Sequence, residues 1–128
     1  MSIYGNKKIL AVGKGTDLYE FIKAFKAAGI EVVREERIST ALTTAKEFKP
    51  DTILFVLPRY WTEITGFVEK IRDMEGFERT PIIYIGAMIE GTDQQVLKER
   101  GVVTMTLGPV PVKEMARHVI DEMSKLRF

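Results

Sequence analysis

The sequence predicts a doubly wound α/β sandwich, a five-stranded parallel sheet with five helices shared between its two faces. Two observations carry this expectation. Five short runs rich in apolar and β-branched residues recur along the 128-residue chain, and the segments after them place apolar residues three and four apart. Near-continuous apolar strands joined by helices require a parallel sheet covered on both sides, because each crossover lays its helix over one face.

The elements follow in order. Lys8-Ile-Leu-Ala-Val12 reads as the first strand, and Leu18, Phe21, Ile22 and Phe25 form the stripe of the first helix. Ile30-Glu-Val-Val33 is the second strand, followed by the stripe Ile38, Ala41, Leu42, Ala45 and Phe48. Thr52-Ile-Leu-Phe-Val-Leu57 is the third strand, with Ile64, Phe67, Val68 and Ile71 in the helix after it. Pro81-Ile-Ile-Tyr-Ile85 precedes a short helix around Val96 and Leu97. Val102-Val-Thr-Met-Thr-Leu107 leads to a last helix with Val112, Met115, Ala116, Val119, Ile120 and Met123 on one stripe. Punctuation agrees with the helix spacing: Thr16 or Asp17, and Thr92 or Asp93, are of the types that cap helix starts, while Gly29 and Gly101 stand where helices end.

Composition narrows the function classes. Lysine plus arginine (19) nearly balance aspartate plus glutamate (18), without blocks of like charge, so nothing points to a nucleic-acid or membrane partner. Cysteine is absent, which excludes disulfides, thiolate catalysis and cysteine-ligated metals. The opening MSIYGNKKILAV has too short an apolar run for a signal-peptide core, and no later run approaches a membrane span. The expectation is one cytoplasmic domain over residues 1–128, with no cofactor or metal.

Several short signatures fall in a familiar register. Ala41-Leu42 followed by Lys49-Pro50-Asp51-Thr-Ile-Leu-Phe55, then Phe67-Val-Glu-Lys-Ile-Arg72, Thr80-Pro81-Ile-Ile-Tyr-Ile-Gly-Ala87 and Gly101 through Pro109 resemble the receiver domain of bacterial response regulators, the CheY-like family. The resemblance covers nearly the whole chain and implies strand order 2-1-3-4-5. It also implies where the family's chemistry would lie. The acidic pair that helps hold magnesium after the first strand falls on Gly13 and Lys14, the phosphoryl-accepting aspartate on Val56, the hydroxyl residue on Gly86 and the lysine on Gly108. Pro109 alone keeps the family identity, and the resemblance implies a cis bond before it. The chain therefore resembles a degenerate pseudo-receiver.

Those replacements remove both catalyst and acceptor. Magnesium takes hard oxygen ligands in near-octahedral order, which valine, glycine and lysine side chains do not offer. Val56 is no nucleophile, and without the cation nothing neutralises the charge that develops on a transferring phosphoryl group. Asp51 starts the third strand, about 17 Å from Val56 at about 3.3 Å per residue, and Asp17 is explained by the helix start. The reading is a non-enzymatic, phosphorylation-independent signalling domain that works by docking to a protein partner or effector domain.

The second reading is a binding module for a nucleotide or other anionic small molecule at a glycine-rimmed cleft, with Lys14, Gly15 and Thr16 as the anion-binding candidates. Nucleotide motifs support it in part. The P-loop pattern fails at Lys8 and at Gly15, and the Rossmann pattern keeps Gly13 and Gly15 but has Leu18 for its third glycine, with Glu35 and Glu36 where a ribose-binding acid would sit. Tyr60 and Trp61, beside Arg59, are of the types enriched at binding hot spots, and are equally suited to collapse over the core edge. The family's face of fourth helix, fifth strand and fifth helix implies Gln95, Lys98, Glu99, Met105, Lys113, Arg117 and Asp121 as candidates for partner contact or homodimerisation. Met105 replaces the family's switch aromatic there. His118 has no convergent partner in the pattern and reads as a solvated helix residue.

Overall fold

The computed structural model describes residues 7–57, 59–89, 91–106 and 111–125. Its elements are β1 (Lys8–Gly13), α1 (Thr16–Ala27), β2 (Glu31–Glu35), α2 (Ile38–Phe48), β3 (Thr52–Leu57), α3 (Glu63–Arg72), β4 (Ile82–Gly86), α4 (Thr92–Glu99), β5 (Val102–Thr106) and α5 (Val112–Lys125). All five strands pair in parallel, in the order β2-β1-β3-β4-β5. The strand order and the alternation with five helices are those expected from the sequence.

Side-chain alternation along the strands sorts the core into two layers. Leu10, Val12, Ile53, Phe55, Leu57, Ile82 and Tyr84 meet α2, α3 and α4 on one face, where Phe55 and Phe67 stack edge to face at 5.5 Å. Ile9, Ala11, Leu54, Val56, Ile83 and Ile85 meet Phe21 and Phe25 of α1 and Met115, Ala116 and Val119 of α5 on the other. Strands β3 and β4 are buried along their whole length, which is why their sequences read as unbroken apolar runs. Edge strand β2 has only exposed and half-buried residues and runs two residues past its apolar stretch, because its pairing with β1 continues to Val12 opposite Glu35.

The helix starts differ from the expectation. Gly15 and Gly91 occupy the N-cap positions of α1 and α4, neither helix start receives a side-chain cap, and Thr16 and Thr92 are already helical. Asp17 and Asp93 instead lie in the first turns, where a carboxylate is favoured by the helix dipole. The helix ends agree with the sequence: Gly29 and Gly101 take φ of 85° and 79° directly after α1 and α4. No helix among the described residues is long and apolar enough to cross a membrane.

Candidate functional site

Strand order reverses at β1 and β3, so the carboxyl ends of these two strands flank the crevice where open parallel sheets hold ligands. Gly13 and Val56 are the paired residues at that point. Val56 is 1% exposed and packs into the apolar layer shared with α1 and α5. A carboxylate at this position would face apolar neighbours instead of water.

The two glycines beside it are held against β3. Gly13 has φ of 153°, and a Cβ built on it would overlap the carbonyl oxygen of Val56. Gly86 has φ of 158°, and its Cβ would overlap the carbonyl oxygen of Leu57. These glycines leave no gap on that side; the β3 backbone occupies the space a side chain would take. Strands β1 and β4 thus end in conformations that β-carbon-bearing residues rarely adopt, so the departures at Gly13 and Gly86 reach the backbone as well as the side-chain chemistry.

Lys14, Gly15 and Thr16 form an exposed turn into α1, with open space around Gly15. Among the described residues no group of three or more histidine, aspartate or glutamate side chains is placed to hold a metal ion. Glu35, which the partial dinucleotide pattern offers to a ribose, is taken by α2: its carboxylate accepts hydrogen bonds from the hydroxyls of Thr40 at 2.7 Å and Thr44 at 2.5 Å. Glu36 lies 3.5 Å from Arg34 in an exposed ion pair. His118 is exposed on α5. Gly108 and Pro109 lie outside the described residues.

The loop after β3 divides its two aromatics. Tyr60 turns toward α4: its ring meets Tyr84 edge to face at 6.1 Å and its hydroxyl donates to Asp93 Oδ2 at 2.9 Å. Burial first, then the hydrogen bond and the charge of Asp93, push the Tyr60 phenol well above its usual range. Tyr84 donates to the carbonyl of Ala87 at 2.7 Å, and burial raises its phenol too. Trp61 turns the other way and lines a recess of about 340 Å3 with Glu36, Arg37, Ile38, Ser39 and Glu63. Both aromatics pack against the core layer of α2, α3 and α4. Sequence reasoning missed the Tyr60–Asp93 bond, since 33 residues separate the partners and neither belongs to a periodic pattern.

The remaining candidates gather around edge strand β5. Gln95 and Lys98 are exposed on α4, and Arg117 is exposed on α5. These two helices belong to opposite layers, with half-buried Met105 on the strand between them. Gln95 donates to Glu99 at 3.0 Å, a contact within the helix surface.

A cavity of about 600 Å3 opens at the opposite, amino-terminal edge, lined in part by Arg72, Arg79, Arg100, Glu78 and Glu99. Arg72 donates to the carbonyls of Arg100 at 2.9 Å, Phe77 at 3.0 Å and Thr80 at 2.6 Å, and burial lowers the pKa of its guanidinium. Two glutamates and the ends of α3 and α4, each worth about half a negative charge, offset the three arginines. The cavity has no net preference for an anion, and Arg72 serves as a brace between loops.

No protein-family model and no curated protein matches the chain in sequence. Solved structures match its fold. CheY4 of Vibrio cholerae superposes with a TM-score of 0.74 at 20% identity, over 91% of this chain and 98% of that one. An orphan response regulator of H. pylori gives 0.75 at 14% identity, covering 96% and 98%. The receiver domain of a sensor histidine kinase from Pseudomonas aeruginosa, which has a magnesium ion coordinated in its active-site cleft, gives 0.69 at 21% identity, covering 92% and 98%. The chain has the receiver fold of response regulators.

Proposed function

We propose that this receiver-fold domain acts in bacterial signal transduction by docking to a protein partner or effector domain in the cytoplasm, without accepting a phosphoryl group. The observation that carries the reading is the carboxyl edge of β1, β3 and β4. A buried valine stands where the sequence resemblance puts the acceptor, and glycine backbones are pressed against β3 on either side of it. Phosphoryl transfer to a carboxylate needs an acceptor oxygen and a cation that shares the phosphoryl charge; this edge offers neither among the described residues.

Docking is favoured by what the exposed elements carry. Trp61 lines a recess, Met105 is half-buried at edge strand β5, and Gln95, Lys98 and Arg117 flank that strand from two layers. Tryptophan, methionine and arginine are types enriched in protein interfaces. The same edge strand, with α4 and α5, is the proposed surface for a homodimer. Ligand binding at a glycine-rimmed cleft draws less support, since Gly13 and Gly86 abut β3 carbonyls.

Incubation with acetyl phosphate and magnesium, followed by intact-mass measurement, tests the reading. The expected result is an unmodified chain. Stoichiometric gain of a phosphoryl group that hydroxylamine removes, as it does from an acyl phosphate, would overturn it.

A further inference from the structure

α4 is the helix least able to hold its own place. It has eight residues and one fully buried side chain, Leu97. A helix this short is not stable by itself, so its position depends on ties to the rest of the fold. The two ends are tied differently. At the carboxyl end, Arg72 holds the carbonyl of Arg100 at 2.9 Å. At the amino end no side chain caps the helix, and Asp93 accepts the hydroxyl of Tyr60 from the loop after β3. Gly91 and Gly101, with φ of 70° and 79°, flank the helix at the two points where a swing would bend the chain.

Beneath the amino end lies a cavity of about 50 Å3, lined by Tyr84, Ile89 and Met105 with Gln94 of α4 as one wall. Its mouth carries Met88, which is 72% exposed. A cavity this small admits no ligand of ordinary size, and its lining is mixed, with Gln94 and Thr104 beside the apolar groups, so it marks imperfect packing under the amino end of α4.

We propose that the Tyr60–Asp93 hydrogen bond is a latch that holds the amino end of α4 closed over Tyr84, Ile89 and Met105, and that release of this latch is the lowest-energy opening of the domain. Arg72 is the pivot and the flanking glycines are the hinges. Opening swings the amino end of α4 outward and exposes Tyr84, Ile89 and Met105 together. Phenol and carboxylate form a charge-assisted bond, stronger than a neutral one, so the latch is closed at rest. The raised pKa of the phenol keeps the donor proton in place well into alkaline solution. The latch stands whether or not a partner docks on β5, because opening is read directly.

Hydrogen exchange on the full chain tests it, using Y60F, D93A and the double variant. Y60F keeps the ring that packs on Tyr84 and removes only the donor. The expected result is exchange about tenfold faster in the hydrogen-bonded amides of α4, equal to about 1.4 kcal/mol, with the amides of β1 and β3 unchanged. The double variant should exchange no faster than the faster single variant, because both remove one bond. Unchanged α4 exchange in the single variants, an equal rise in β1 and β3, or additive effects in the double variant would each overturn the latch. If Y60F does not fold, exchange of the native chain still decides: the α4 amides should open at a lower free energy than those of β1 and β3, and equal opening energies would overturn the latch.

Discussion

The described residues at the two edges of the sheet differ in what they do. The carboxyl edge, where parallel sheets hold ligands, presents a buried valine, two glycines against β3 and a pair of packed tyrosines. The amino edge carries the polar work: Asp51 accepts the backbone N–H of Lys8 at 2.8 Å, and Arg72 spans three carbonyls of two loops. At one edge polar groups hold loops, and at the other a buried valine and two glycines are packed against β3.

The strongest way to break this comparison is to restore the missing chemistry. Gly13→Asp should destabilise the chain by about 3 kcal/mol or more, since a Cβ there meets the Val56 carbonyl and the backbone must leave its present conformation. Val56→Asp should cost a similar amount, about 3–5 kcal/mol, because an unpaired carboxylate would be buried among apolar side chains. Urea unfolding of each variant measures this. Near-native stability in the Gly13→Asp, Val56→Asp double variant would mean the edge is still built to accept a carboxylate site.

Arg72→Ala sharpens the other side. It removes the Arg72 donor from the carbonyls of Arg100, Phe77 and Thr80, of which Phe77 keeps the N–H of Thr80 at 3.4 Å, and should cost about 2–3 kcal/mol, while Arg79→Ala, at an exposed position of the same cavity, should stay within about 0.5 kcal/mol. Equal losses in the two variants would contradict the bracing role.

Alkaline pH probes the packed tyrosines of the carboxyl edge. The phenols of Tyr60 and Tyr84 are raised in the folded state, so their contribution is complete below the unfolded tyrosine pKa of about 10. Above that pH the unfolded chain ionises first, and stability should fall by at most about 1.4 kcal/mol per pH unit for each tyrosine. Y60F should remove part of this slope in stability measured between pH 9 and 12.

Much of the fold was legible because its signals are periodic. Ile53 to Leu57 and Ile82 to Ile85 are buried on both sides of the sheet and read as unbroken runs, and Leu18, Phe21 and Phe25 repeat at helical spacing. The second strand was harder to bound, since Arg34 and Glu35 belong to it through pairing with β1 alone. Gly13, Val56 and Gly86 were singled out only by register with a known family. Their backbone consequence was not legible, because φ and the approach to β3 leave no trace in residue identity. The bonds of Tyr60 to Asp93 and of Arg72 to three carbonyls were also hidden: each joins residues that share no period.

The most direct test of the closed carboxyl edge is an NMR titration of the native chain with magnesium and beryllofluoride, which mimics a phosphoryl group on an aspartate. The closed edge predicts no saturable shift in the amides of Gly13, Lys14, Val56, Leu57, Gly86 and Ala87. A saturable, magnesium-dependent shift centred on those amides would contradict it.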